Sequence, residues 1–208
     1  MKAYLPLVHQ PLPGYKAEKL WQRIGKSARE HGYHSAVVFG FVRFKDHVLQ
    51  QWAMRAAWNS TRIRCQRHRG VAIGKGVHWG TNVFIDPPYP YFVVVEDGAS
   101  LAGNNTLLTH TKASAYHSRV VESFVAPIIV HKNAWVAVGV TILPGCEIGE
   151  GAIVSTGSVV TKDIPPLTMA SGNPAKVVSD MARLLKKNYD AEEYERILTE
   201  RKEKYHYN

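Results

Sequence analysis

Residues Val130 to Pro165 read VHKNAW VAVGVT ILPGCE IGEGAI VSTGSV VTKDIP when cut into six-residue blocks. Each block opens on an aliphatic residue: Val130, Val136, Ile142, Ile148, Val154 and Val160. The fifth places, Ala134, Val140, Cys146, Ala152, Ser158 and Ile164, are mostly small. A helix with a period of about 3.6 cannot hold a residue on one face at every sixth position for this long. Six is even, so the spacing fits the in-and-out alternation of a strand. Short strands separated by turns would then set every first residue on one interior line. That is the pattern of a solenoid built from hexapeptides.

The register extends upstream. Ile73, Trp79 and Ile85 are spaced by six, and so are Val95, Leu101 and Leu107. Ten residues separate Ile85 from Val95, which predicts a small insertion. Twenty-three separate Leu107 from Val130, which predicts a long loop over residues 109–127. Twelve inward residues result, each worth about 1.5–3 kcal/mol when fully buried. Loops of this length in a compact repeat protein usually carry function.

The flanks read differently. Residues 1–14 hold three prolines and read as an extended arm. Residues 15–31 have helical composition, with Leu20, Ile24 and Ala28 on one stripe. A second helical stretch covers 35–58, where Phe41, Phe44, Val48 and Trp52 recur at three and four, and Asn59-Ser60-Thr61 break it. Such a face packs on its own protein in the ordinary case, and a basic amphipathic helix can also lie on a membrane. At the other end, Ser179 is placed to cap one helix, and Asp190 with Glu193 forms a capping box for a last helix ending near Tyr205. The expected division is an arm with basic helices over 1–70, a solenoid over 71–178 and a helical cap over 179–208.

Charge is unevenly spread. The chain of 208 residues carries +9, and residues 15–70 alone hold twelve Lys or Arg against three acids, Glu18, Glu30 and Asp46. A local basic segment attracts an anionic surface or substrate. No nucleic-acid recognition motif accompanies it. The longest apolar run, Ala36 to Val42, falls far short of the ~20 residues that span a bilayer. The first residues lack the apolar core of a signal peptide. Two cysteines, Cys65 and Cys146, make no disulfide framework. The expected setting is the cytoplasm, with peripheral contact to an anionic membrane surface through residues 15–58.

Three phrases carry a family resemblance: LLTHTKAS (Leu107–Ser114), VVTKDIPP (Val159–Pro166) and SGNPAKVV (Ser171–Val178). With the repeats they resemble the hexapeptide-repeat acyltransferases, and within them the acetyl-CoA-dependent sugar O-acetyltransferases of the galactoside, maltose and surface-polysaccharide types. The resemblance covers about residues 70 to 178. It implies an all-β solenoid, a left-handed parallel β-helix, with an N-terminal helical appendage and C-terminal α-helices. It also implies a homotrimer with the active site between neighbours, and acetyl-CoA as co-substrate. N-acetylation of an amino sugar, acetylation of an antibiotic or of serine, and an inactive scaffold are the rival readings.

Acetyl transfer from a thioester to a hydroxyl needs a base, donors for the tetrahedral oxyanion and close alignment of both substrates. Of ten histidines, His110 alone matches the family's catalytic histidine, through LLTHTKAS. Many relatives carry an acid directly after that histidine, where Thr111 stands here. His117, in the same loop, is the second candidate. Neither cysteine lies in the loop, so direct transfer is favoured over an acyl-enzyme. No metal-ligand set appears. By resemblance, Trp135 and Val138 face the thioester arm, and the backbone N–H near Val138 or Gly139 is the oxyanion donor. Thr156, Thr161 and Lys162 line the CoA groove, and Lys176 lies near the nucleotide phosphates. CoA is polyanionic, so both lysines suit it. Asp86 occupies the place where related enzymes carry an acceptor-binding residue, often asparagine. Tyr89 and Tyr91 of the insertion, with His117, complete the acceptor side.

Overall fold

The computed structural model describes residues 32, 35–114, 116–117, 120–181, 183–184 and 190–205. The expected arm over 1–14 and helix over 15–31 lie outside them.

The repeats become two- and three-residue strands taken in strict rotation by three sheets. The first turn of the chain is β1 (Ala72–Ile73), β2 (His78–Trp79) and β3 (Phe84–Ile85). The second is β4 (Val93–Val95), β5 (Ser100–Leu101) and β6 (Thr106–Leu107). The long loop follows, with an antiparallel pair of its own, β7 (His110–Thr111) and β8 (Phe124–Val125). The third turn is β9 (Ile128–Val130), β10 (Trp135–Val136) and β11 (Thr141–Ile142), and the fourth is β12 (Glu147–Ile148), β13 (Ile153–Val154) and β14 (Val159–Val160). All pairings between turns are parallel. They build β1-β4-β9-β12 on one side, β2-β5-β10-β13 on the second and β3-β6-β11-β14 on the third.

The six-residue register is the register of the core. Ile85, Leu107, Ile142 and Val160 stack in one column. Eleven of the twelve expected inward residues are fully buried, from Trp79 to Val160. Ile73, in the outermost strand, is half-buried and packs against them. The fifth places are buried as well, Cys146 among them. Asn105 sits at one of them. It is tolerated in an apolar interior because its amide accepts from Val140 N at 2.8 Å and donates to the Ala102 carbonyl at 2.8 Å.

β1, β2 and β3 are the edge strands of their three sheets, and an exposed edge presents unpaired backbone groups. Two helices cover it: α1 (Ala36–Arg55), capped by Ser35, and α2 (Asn59–His68). Their inward side chains are donors aimed at first-turn carbonyls. Arg67 donates to Ile73 O and Gly74 O, Asn59 to Val77 O, Arg62 Nε to Trp79 O at 2.6 Å, and Gln50 to Val83 O at 3.1 Å. Asn59 Oδ1 also accepts from Trp79 N, and Met54 O from Asn82 N.

That role overturns two expectations. The stretch Asn59-Ser60-Thr61 begins a second helix rather than breaking the first. The Asn59 side chain is engaged with Val77 and Trp79, so it does not compete for its own backbone. The apolar stripe Phe41, Phe44, Val48 and Trp52 does not pack on the protein. It faces out, while Phe39, Asp46, Gln50 and Ala53 face in.

At the far end, β15 (Thr168–Ser171) joins β13, and β16 (Lys176–Asp180) folds back antiparallel on β15. Ser179 therefore lies in a strand, not at a helix cap; Asp180 Oδ1 accepts from Arg183 N instead. The final helix, α3 (Ala191–Tyr205), has the expected bounds, and Asp190 Oδ1 accepts from Glu193 N at 2.8 Å.

Candidate active site

Asp86 directly follows inward Ile85, and Thr109-His110 follow inward Leu107 in the neighbouring turn. The column therefore brings residues 24 apart to one corner, between the third side and the first. Asp86 is 3% exposed. Its Oδ2 accepts from Thr109 N at 3.1 Å, Thr109 Oγ1 at 3.2 Å and His110 N at 3.2 Å. The fourth partner is His110 Nδ1, in a short contact.

An oxygen facing two backbone amides and a hydroxyl, all donors, is placed as an acceptor. The His110 tautomer that fits it carries its proton on Nδ1. That leaves Nε2 with a free lone pair, as a general base requires. The His110 side chain is 24% exposed, so it is reachable from solvent. The buried ring of Tyr89 stands edge-on to the imidazole, with centroids 5.5 Å apart.

The backbone on both sides of Asp86 is held by side chains from the N-terminal helical region. Arg69 Nη2 donates to Ile85 O at 3.5 Å, and Arg43 Nη1 donates to Pro87 O, so two arginines hold the carbonyls on either side of Asp86. Arg69 is buried with Gln50 and Gln66, whose Oε1 atoms accept from its Nη1. Burial pushes the guanidinium down to about 10, and the carboxylates of Asp46 and Asp86 oppose that fall. Burial also raises Asp46 above the usual carboxylate range. Gly70 lies against Tyr91; a side chain there would press on the Tyr91 Cβ at 3.2 Å.

The other expected site residues fall into two groups. Thr161 and Lys162, exposed, follow β14 and so stand at the same corner as Asp86 and His110, three turns beyond Asp86 and two beyond His110. Trp135, half exposed, lies on the second side. Val138-Gly139 and Thr156-Gly157 stack at the next corner, where Gly157 N donates to Val138 O at 2.9 Å. Lys176 is exposed on β16, at the edge of the second side. Gly139 N already donates to Gly103 O at 3.0 Å, which leaves Val138 as the oxyanion donor candidate. Within one chain, the histidine and the Trp135–Thr156 group thus occupy different corners.

On the acceptor side, Tyr89 is buried and Tyr91 is exposed. His117 is exposed, with Nδ1 2.8 Å from Ser114 Oγ. None of its contacts among the described residues joins it to His110. Sequence reasoning missed the pairing of Asp86 with His110. The signal was present, because Asp86 follows Ile85 and His110 comes three residues after Leu107, and those two inward residues are neighbours in one column.

Residues 127–162 match the bacterial transferase hexapeptide model of six repeats. The galactoside O-acetyltransferase of Escherichia coli is 31% identical over 127 residues, 60% of this chain and 61% of that protein. The chain spans about half the length of the first curated relatives it matches, 53% and 54%. Among solved structures, a maltose O-acetyltransferase from Clostridium difficile is 26% identical. It covers 67% of this chain and 86% of its own, with a TM-score of 0.53. A hexapeptide-repeat-containing acetyltransferase from Vibrio cholerae, complexed with acetyl-coenzyme A, shares the fold at a TM-score of 0.59. It is 20% identical and covers 72% of this chain and 94% of that one. The chain carries hexapeptide repeats and is similar over part of its length to these acetyltransferases.

Proposed function

We propose that this chain moves an acetyl group from acetyl-CoA to a sugar hydroxyl, in surface-polysaccharide or glycoconjugate synthesis, as a left-handed β-helix trimer. The observation that carries the reading is the His110–Asp86 pair at a coil corner, with Nε2 left as the basic nitrogen. The acceptor hydroxyl attacks the thioester carbonyl carbon while His110 Nε2 takes its proton. The backbone N–H of Val138 receives the oxyanion. As the C–S bond breaks, the imidazolium returns the proton to the CoA sulfur. Asp86 then acts through His110 rather than on the acceptor, which falls to Tyr91, Tyr89 and His117.

Trp135, Thr156, Thr161, Lys162 and Lys176 are the proposed CoA contacts. Their division between two corners is the reason for a shared site. In a trimer the His110 corner of one copy meets the Trp135–Thr156 face of the next.

A hydroxyl is a poor nucleophile at neutral pH, and general-base assistance contributes about 10²–10⁴-fold. His110→Ala should lower kcat by about that factor with acetyl-CoA binding unchanged, read by thiol release against a panel of sugars. Wild-type turnover in that variant, or its loss in His117→Ala alone, would show that the base is elsewhere.

A further inference from the structure

We propose that the outward face of α1 rests on an anionic lipid surface. The face exists because the helix is inverted. Its inward side supplies Gln50 to the first-turn edge and Asp46 to the buried arginine cluster, so its apolar residues are left outside. Val37, Phe41, Phe44, Val48 and Trp52 follow one another at four, three, four and four residues, which keeps them on one stripe. Phe41 is 71% exposed, Phe44 66% and Trp52 65%. At about 1.5 Å per residue the stripe runs for roughly 22 Å. Trp58, at the joint with α2, is 75% exposed.

The charges beside the stripe choose the occupant. From Ser35 to Gly70 the one acidic residue is Asp46, and it is buried. The exposed charged residues over that span are all cationic: Lys45 and Arg55 on α1, and Arg64 and Arg67 on α2, where Arg67 is held by the Ile73 and Gly74 carbonyls. A second copy meeting this face through the same face would bring like charge against like. An anionic bilayer offers both things the face lacks: an apolar layer for the Phe and Trp rings at the headgroup boundary, and phosphate or carboxylate groups for the basic side chains. No helix among the described residues is long and apolar enough to cross a membrane, so α1 would lie along the surface.

The test is co-sedimentation of the full chain with vesicles of phosphatidylcholine containing about a quarter phosphatidylserine. Phosphatidylcholine alone is the control. The expected result is pelleting with the anionic vesicles at ~0.02 M salt that falls at least ~10-fold by ~0.5 M, because surface charge is screened. Phe41→Ser/Phe44→Ser/Trp52→Ser should abolish pelleting while thermal unfolding and light scattering stay as in the wild type, since these side chains stand free of the core. Absence of pelleting at low salt overturns the proposal, and so does undiminished pelleting of the variant. A variant that loses oligomeric mass would show instead that a second copy covers the face, which also overturns it.

Discussion

Replacing Asp86 with asparagine isolates charge from shape at the centre of the proposed site. The side chain keeps its size and one acceptor oxygen but loses its negative charge. At rest, a hydrogen bond to a charged group contributes about 1.5–3 kcal/mol against about 0.5–1.5 for a neutral one. When the imidazole takes the acceptor proton, the loss grows. A positive ring next to a carboxylate is favoured by up to about 4 kcal/mol at an effective dielectric near 20. That dielectric suits Asp86, which is 3% exposed. The barrier should therefore rise by about 1.5–4 kcal/mol, a loss of roughly 10–10³-fold in kcat. The assay is thiol release from acetyl-CoA with the best sugar acceptor, run as a double-mutant cycle. If Asp86 acts through His110, then Asp86→Asn should cost nothing further in a His110→Ala background. Additive losses in the double variant, or full activity in the single one, would refute the positioning role.

Arg69→Met should lower the free energy of unfolding by about 1–3 kcal/mol. It leaves the buried Gln66 oxygen without its donor, while Gln50 Oε1 keeps Gln66 Nε2 at 3.2 Å. Urea denaturation checks this. His131 predicts a pH effect. Burial lowers its affinity for a proton, but the hydrogen bond to Glu147 and the charge and hydrogen bond of Glu96 outweigh that and raise it. The contacts are 3.0 Å to Glu147 and 3.3 Å to Glu96. A raised folded value means the stabilisation is fully present below the unfolded value of ~6.5 and is lost as pH rises through the folded one. All three side chains are about a third exposed or more, so the effect stays below about 1 kcal/mol. The stability gap between wild type and His131→Asn should be largest near pH ~6 and close by pH ~9; a gap that widens with pH would contradict it.

The rotation of short strands among three parallel sheets was legible because its signal is arithmetic. A residue that must point inward every sixth position leaves a trace that survives an insertion and a long loop, and Trp79, Leu101 and Val154 obey it alike. His110 was legible for a different reason, as part of a phrase resembling a known family. What stayed hidden were partnerships between distant residues. Asp86 reads by resemblance as an acceptor-side residue, and its partnership with His110 appears only when Ile85 and Leu107 are set side by side. The polarity of α1 was misread because an apolar stripe normally marks the inward face. Here the surface being covered is a strand edge. Gln50, Asn59 and Arg62 meet its backbone groups, so the polar side is the one that packs. The occupied N–H of Gly139 was likewise invisible, since its acceptor, Gly103, lies a full turn away.

The donor-lined inner face of α1 and α2 has a consequence for colloidal behaviour. Without it, the first turn would end in three bare strand edges at once, and a coil with such an end is a template for adding the end of another. A first-turn end that paired with the far end of another molecule would leave a new first-turn end, and such head-to-tail growth would not close. Charge-bearing or helix-covered edges are how proteins interrupt that series. Arg62 and Gln50 are thus chain terminators in the polymer sense. Weakening their bonds to Trp79 and Val83 should reveal itself first as slow filament growth on storage, ahead of any loss of fold.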